Sequence, residues 1–223
     1  MPSTDSAYRE VSHQHGVRNR RRKDRNALAA DFGRKLEGLE DATRALLFRL
    51  FRGSESRILK FTEMDEGHQS TKFHELDFVV VTDSVPSVFF EIKFRENHKQ
   101  SKVDGVGQLY DNLDIARCRW PEIRGVCVNI FTGFIFGLAE REPEGLDSLT
   151  ALSVIVDTLD QRQIPVAGIW LSGAELLRAA NIPTKVVKQI QRSRTAAMNS
   201  IEARHRQRQG IGCIGHLFEL ALH

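Results

Sequence analysis

Three cysteines in 223 residues, Cys118, Cys127 and Cys213, show no paired C-x-x-C spacing. That absence excludes a disulfide framework and a zinc knuckle, and leaves buried free thiols as the expectation. No apolar run approaches the roughly 20 residues that span a bilayer. The first residues are polar and then basic, without the apolar stretch of a signal peptide. A soluble intracellular protein, cytoplasmic or nuclear and without a membrane partner, is expected. There is no G-x-x-x-x-G-K phosphate loop, no G-x-S-x-G nucleophile turn and no repeat of solenoid period. His68, His216 and His223 have no companions at metal-ligand spacing and read as structural, while His74 draws notice only by preceding Glu75.

What is present suits one domain. A chain of this length with 41% hydrophobic residues supports a single α/β core with appendages, not two large cores. The net charge of +3 is unevenly spread. Arg18, Arg20, Arg21, Arg22, Lys23 and Arg25 crowd one segment, and Lys185, Lys188, Arg192, Arg194, Arg204, Arg206 and Arg208 mark another. Such clusters neutralise phosphates and give salt-sensitive nucleic-acid binding. The first reads equally as a localisation-like or merely solvated tail, and the second as a solvated helix face.

The most informative stretch is HELDFVVVTDSVPSVFFEIKF. Leu76, Phe78, Val80, Phe90, Ile92 and Phe94 occupy even positions, whereas Glu75, Asp77, Glu91 and Lys93 occupy odd ones. Alternation along strands puts the four charges on one face. Residues 72 to 84 and 87 to 94 then read as a hairpin, with Asp83, Ser84 and Pro86 supplying the turn. Cross-strand partners share a face, so paired numbers must sum to an even value such as 168 or 170. Asp77 therefore lies opposite Glu91 or opposite Lys93. Two adjacent carboxylates repel unless a cation sits between them, and a hard divalent ion with oxygen ligands answers that need. The plainer alternative is the solvated polar face of an antiparallel hairpin.

Along the rest of the chain, residues 1 to 22 lack apolar periodicity and read as a disordered arm. From 26 to 51, Phe32, Leu36, Leu39, Leu46, Leu47 and Leu50 recur at helical spacing, and Gly53 stands where a C-terminal glycine cap would. Glu40 lies close to the apolar stripe and Glu37 farther from it. Residues 57 to 64 read as a strand, 65 to 71 as a polar loop, and 97 to 104 as a lysine-bearing loop that suits the mouth of a site handling a polyanion. A helix is expected over 105 to 118, strands over 124 to 131 and 134 to 138, and a helix over 146 to 160. A strand over 166 to 171 and helices over 172 to 180 and 184 to 207 complete the reading. The apolar tail from Ile211 to Leu222 suits docking on the core or on another subunit.

Asp77 followed by Glu91-Ile92-Lys93 resembles the PD-(D/E)XK nuclease superfamily, over roughly residues 30 to 140. The resemblance implies an α/β fold with a restriction-endonuclease-like core: a central mixed β-sheet flanked by helices, here with a helical C-terminal extension. The expected division is a disordered basic arm at 1–24, a nuclease-like core at 25–171 and, within the same domain, the helical extension at 172–223. It implies a metal-dependent nuclease, with an endonuclease expected, that hydrolyses phosphodiester bonds in DNA in preference to RNA. The alternative is a catalytically inactive module of the same fold that binds nucleic acid or assembles. Asp77, Glu91 and the Ile92 carbonyl would hold Mg²⁺, for which Mn²⁺ substitutes. Members often add a glutamate from the first helix, so Glu40 is carried over, although it also stands four residues before Arg44, where a helical ion pair forms. Lys93 would act at the attacking water, and Gln108 would orient substrate or water. In GVGQLYDNL, Tyr110 follows that glutamine by two residues, where one branch has it at four, so no branch is assigned. Arg21, Arg22, Lys99, Lys102, Lys185 and Lys188 are the expected nucleic-acid contacts, and cutting both strands of a duplex would suit a homodimer.

Overall fold

The computed structural model describes residues 8–14, 27–54, 56–65, 68–98 and 105–220. The elements run β1 (Tyr8–Gln14), α1 (Ala27–Leu50), β2 (Ile58–Asp65), β3 (His68–Glu75), β4 (Phe78–Thr82) and β5 (Val85–Arg95). After these come α2 (Gly107–Arg117), β6 (Arg124–Phe131), α3 (Thr150–Gln161), β7 (Val166–Ser172), α4 (Gly173–Ala179) and α5 (Thr184–Leu220). The protein is an α/β fold around a mixed four-stranded sheet of order β4-β5-β6-β7, with a second sheet of order β1-β2-β3. β4 and β5 are antiparallel, whereas β5, β6 and β7 run parallel.

Two compact units divide the chain. One comprises residues 1–20 and 40–182, and the other residues 21–39 and 183–223. The first unit reaches Ile182, and α4 packs Leu176 into its core. In the second unit, Ser193 of α5 donates to Asp31 of α1 at 2.6 Å, and Lys35 bridges to both.

Strand alternation builds two cores within the first unit. Phe78, Val80, Val88, Phe90, Ile92, Val126, Val128 and Ile130 line one face of the four-stranded sheet, with Leu46 and Leu47 of α1, Leu152 and Leu159 of α3 and Leu176 of α4. Val79, Phe89 and Cys127 point the other way, against Leu109 and Leu113 of α2 and Leu59 and Phe61 of β2. All eight residues of β6 are buried, as a parallel strand covered on both faces requires.

Several elements depart from the sequence reading. Tyr8–Gln14, within the arm read as disordered, is a strand that pairs with β2 and buries Val11. Its order comes from a distant partner and not from its own periodicity. Residues 72 to 75 do not belong to the β4–β5 hairpin; they lie in β3, paired with β2 across the segment read as a loop. The strand expected over 134 to 138 is a run of turns, closed by Phe136 N–H to the Thr132 carbonyl and Leu138 N–H to the Gly133 carbonyl. Gly53 is not a helix cap. It bridges to Val80, and a Cβ there would lie 2.6 Å from both the Phe48 and Phe78 rings, so glycine is needed for close approach. Cys118 is exposed, contrary to expectation, and Cys127 is buried. The final helix runs on from 184 to 220, beyond the expected end at 207. Only its backbone is described past residue 203, so the side chains of the apolar tail lie outside the description. No helix among the described residues is long and apolar enough to cross a membrane.

Candidate functional site

The β4–β5 ladder pairs Phe78 with Phe90, Val79 with Phe89 and Val80 with Val88, each summing to 168. Of the two registers left open by alternation, this one points Asp77 toward Glu91. The two-residue turn at Asp83 and Ser84, with φ of 50° and 68°, starts the ladder at Thr82–Val85 and Val81–Pro86, which sum to 167, and the irregularity between Val80 and Val81 shifts it to 168. Pro86 sits inside β5, opposite Val81 at a shift in register and before β6 begins to pair at Val88. There its missing N–H costs no ladder bond with β6.

Asp77 occupies the bend just before β4, where the ladder stops. Its Oδ2 accepts the Ile92 N–H at 2.7 Å, taking the place of β4 on that edge of β5, where the β4 ladder ends at Phe90 while β6 continues to pair on the other side. The amide and carbonyl of a strand residue point to the same side. The Ile92 carbonyl is therefore directed toward the Asp77 side of β5.

Glu91 follows Phe90 on the opposite face and is only 1% exposed. Lys93, two residues on and on the same face, donates from Nζ to Glu91 Oε1, and the same Nζ lies 3.4 Å from Gln108 Oε1 in the first turn of α2. The chain of contact Glu91, Lys93, Gln108 thus joins β5 to α2. Burial pushes the Glu91 carboxyl up to about 7, the Asp77 charge pushes in the same direction, and Lys93 opposes both. Burial also raises Asp77, opposed by its bond from Ile92 N–H and by Lys93. Each acid thus resists ionisation beside the other, and the single ammonium group does not cancel that penalty.

Glu40 is half-buried on the part of α1 that belongs to the same unit, and its charge adds to the upward push on Glu91. Arg44 pairs with Asp41. Glu75 is drawn away from the site by Arg57 at 3.4 Å, and His74 Nδ1 is engaged with Asn112 Oδ1 at 2.8 Å. Among the described residues no group of three or more His, Cys, Asp and Glu side chains is arranged to hold a metal. The donors present are two carboxylates and one backbone carbonyl. Hard oxygen donors with excess negative charge fit Mg²⁺, which is commonly bound by one or two carboxylates and takes its other ligands from water or substrate phosphate.

Lys185 and Lys188 are exposed on α5, in the other unit. Arg21, Arg22, Lys99 and Lys102 lie outside the described residues. Sequence reasoning missed Arg95 and Asn129. Arg95 continues the odd-numbered series 91, 93, and its Nε donates to Asn129 Oδ1 at 3.3 Å. The alternation that found Lys93 would have found Arg95 too. Nothing in the sequence marks Asn129, a fully buried amide on a strand that otherwise reads as core.

No protein-family model, no curated protein and no solved structure matches the chain.

Proposed function

We propose that this protein is a metal-dependent nuclease of the PD-(D/E)XK type, hydrolysing phosphodiester bonds in DNA in preference to RNA, with Mg²⁺ as its cofactor and Mn²⁺ as a substitute. The observation that carries the proposal is the pairing of Asp77 with the Glu91 side of β5, two burial-raised carboxyls beside a lysine that also reaches Gln108. Such a pair does not stabilise the core, since removing charge from water is costly unless it is fully paired or coordinates a cation, and both carboxyls remain raised by burial. The mixed sheet and the α2 helix that covers its site-bearing face are compatible with a restriction-endonuclease-like core.

Asp77, Glu91 and the Ile92 carbonyl would hold the ion, with Glu40 adding negative charge from α1. Bound there, Mg²⁺ supplies positive charge to the phosphate oxygens and acidifies water. Lys93 contributes a second cation, stabilising charge that develops on the phosphate as the bond breaks. Gln108, within reach of the ammonium group, orients substrate or water and takes no proton.

The test is cleavage of labelled DNA and RNA by the full chain, with Mg²⁺, with Mn²⁺ and with chelator. Asp77→Ala, Glu91→Ala and Lys93→Ala are each expected to reduce metal-dependent cleavage at least about a hundredfold, or roughly 3 kcal/mol in the barrier. Undiminished cleavage by the Glu91 and Lys93 variants removes this site from consideration. A second reading, an inactive module that binds nucleic acid, draws on the Lys93–Glu91 ion pair, which partly satisfies the buried acid without a metal, and on exposed Lys185 and Lys188. Salt-dependent binding with no metal-dependent turnover selects it.

A further inference from the structure

Lys93 is not the last cation on its strand face. Arg95 stands two residues beyond it, about 7 Å along β5 by strand geometry, on the face that carries Glu91. Two features fix its guanidinium. On one side Nε donates to Asn129 Oδ1 at 3.3 Å, and Asn129 is itself fully buried with its Nδ2 against Cys127 Sγ at 3.6 Å. On the other side Nη2 lies against Gly105, whose φ is +81°; a Cβ at that position would collide with it and would touch the Lys93 Cγ at 3.7 Å. The turn that leads into α2 is therefore closed down on Lys93 and Arg95 together, and it does so with the one residue that leaves them room.

We infer that Arg95 is a phosphate-contacting residue of this site, set by Asn129 and Gly105 so that its planar fork meets the substrate backbone beside Lys93. The inference rests on the phosphodiester reading of the site. A guanidinium stays charged at every relevant pH and binds phosphate through two parallel N–H bonds, which a point-charge ammonium cannot do.

The experiment measures binding of a fluorescently labelled DNA duplex by the full chain in EDTA over a range of NaCl concentrations, alongside Mn²⁺-dependent cleavage of the same duplex. Arg95→Ala is expected to weaken binding about tenfold and to lower the slope of log Kd against log salt by about one, the signature of one lost phosphate contact. Arg95→Lys is expected to restore the slope and not the cleavage rate. Gly105→Ala keeps every charge but displaces the guanidinium, and is expected to behave like Arg95→Ala. A wild-type slope and affinity in Arg95→Ala overturn the inference. If Arg95→Ala does not fold, Arg95→Lys decides: cleavage at the wild-type rate overturns it, and a retained slope with slowed cleavage supports it. A lowered slope in a protein that shows no cleavage at all sustains the contact while refuting the nuclease. Full cleavage by both wild type and Arg95→Ala refutes the contact and leaves the nuclease standing, and absence of duplex binding by the wild type overturns both.

Discussion

Glutamine in place of Glu91 keeps the shape of the side chain and removes a charge that the fold resists. The carboxyl ionises near 7 where 4.5 is ordinary, and each tenfold change in proton affinity is worth about 1.4 kcal/mol, so its ionisation costs the folded protein about 3 kcal/mol. That figure is already net of Lys93, whose attraction opposes the rise. The direction follows from proton counting. Between 4.5 and 7 the folded state binds the proton more tightly than the unfolded chain does. Stability is therefore fully present below 4.5, falls as pH rises toward 7, and is flat above it. Asp77 is raised as well, so its contribution has the same sign. At pH 8 and in chelator, Glu91→Gln is expected to be more stable than wild type by about 3 kcal/mol, which is about 6–12 °C in Tm for a chain of this size. The two proteins should converge near pH 4.5. Thermal melts followed by circular dichroism from pH 4.5 to 8.5 measure both curves. Equal melting temperatures at pH 8, or a wild type that gains stability over this range relative to the variant, would refute the argument that Glu91 is held charged against its surroundings.

The remaining predictions concern the ion, the turn and the core. At pH 8, Mg²⁺ at about a hundred times its Kd is expected to stabilise the wild type by about 3 kcal/mol, with the effect lost at pH 4.5 and in Asp77→Asn and Glu91→Gln, as read by melting with and without the ion. Ser84→Gly relieves a left-handed φ of 68° and is expected to raise stability by about 0.5–1 kcal/mol, whereas Ser84→Val lowers it, both measured by urea titration. Phe78→Ala removes a fully buried ring packed edge-on against Phe48 and Phe90, with centroids 5.0 and 5.6 Å away, and is expected to cost about 3–5 kcal/mol in the same titration.

Alternation along β4 and β5 is a local property, and the sequence by itself determined what depends on it. Glu91 and Lys93 share a face because side chains reverse at every residue, and an even register was forced before any pairing was known. The helical spacing of Leu39, Leu46 and Leu47 likewise fixed α1 without reference to a partner. The tertiary structure decided everything that needed a distant one. It chose the sum of 168 through a register shift between Val80 and Val81, and it placed Asp77 just before β4 with Ile92 N–H as its partner. It moved Glu75 to a different sheet beside Arg57, and gave Tyr8–Gln14 its order through β2. Parallel pairing of β6 with β5 brought Asn129 to Arg95, residues 34 apart in the chain. Strand pairing and burial are set by contacts remote in sequence, so the pattern could name the acids and the lysine. Only the packed sheet could show that Glu91 is buried and that Asn129 meets Arg95 beside Lys93.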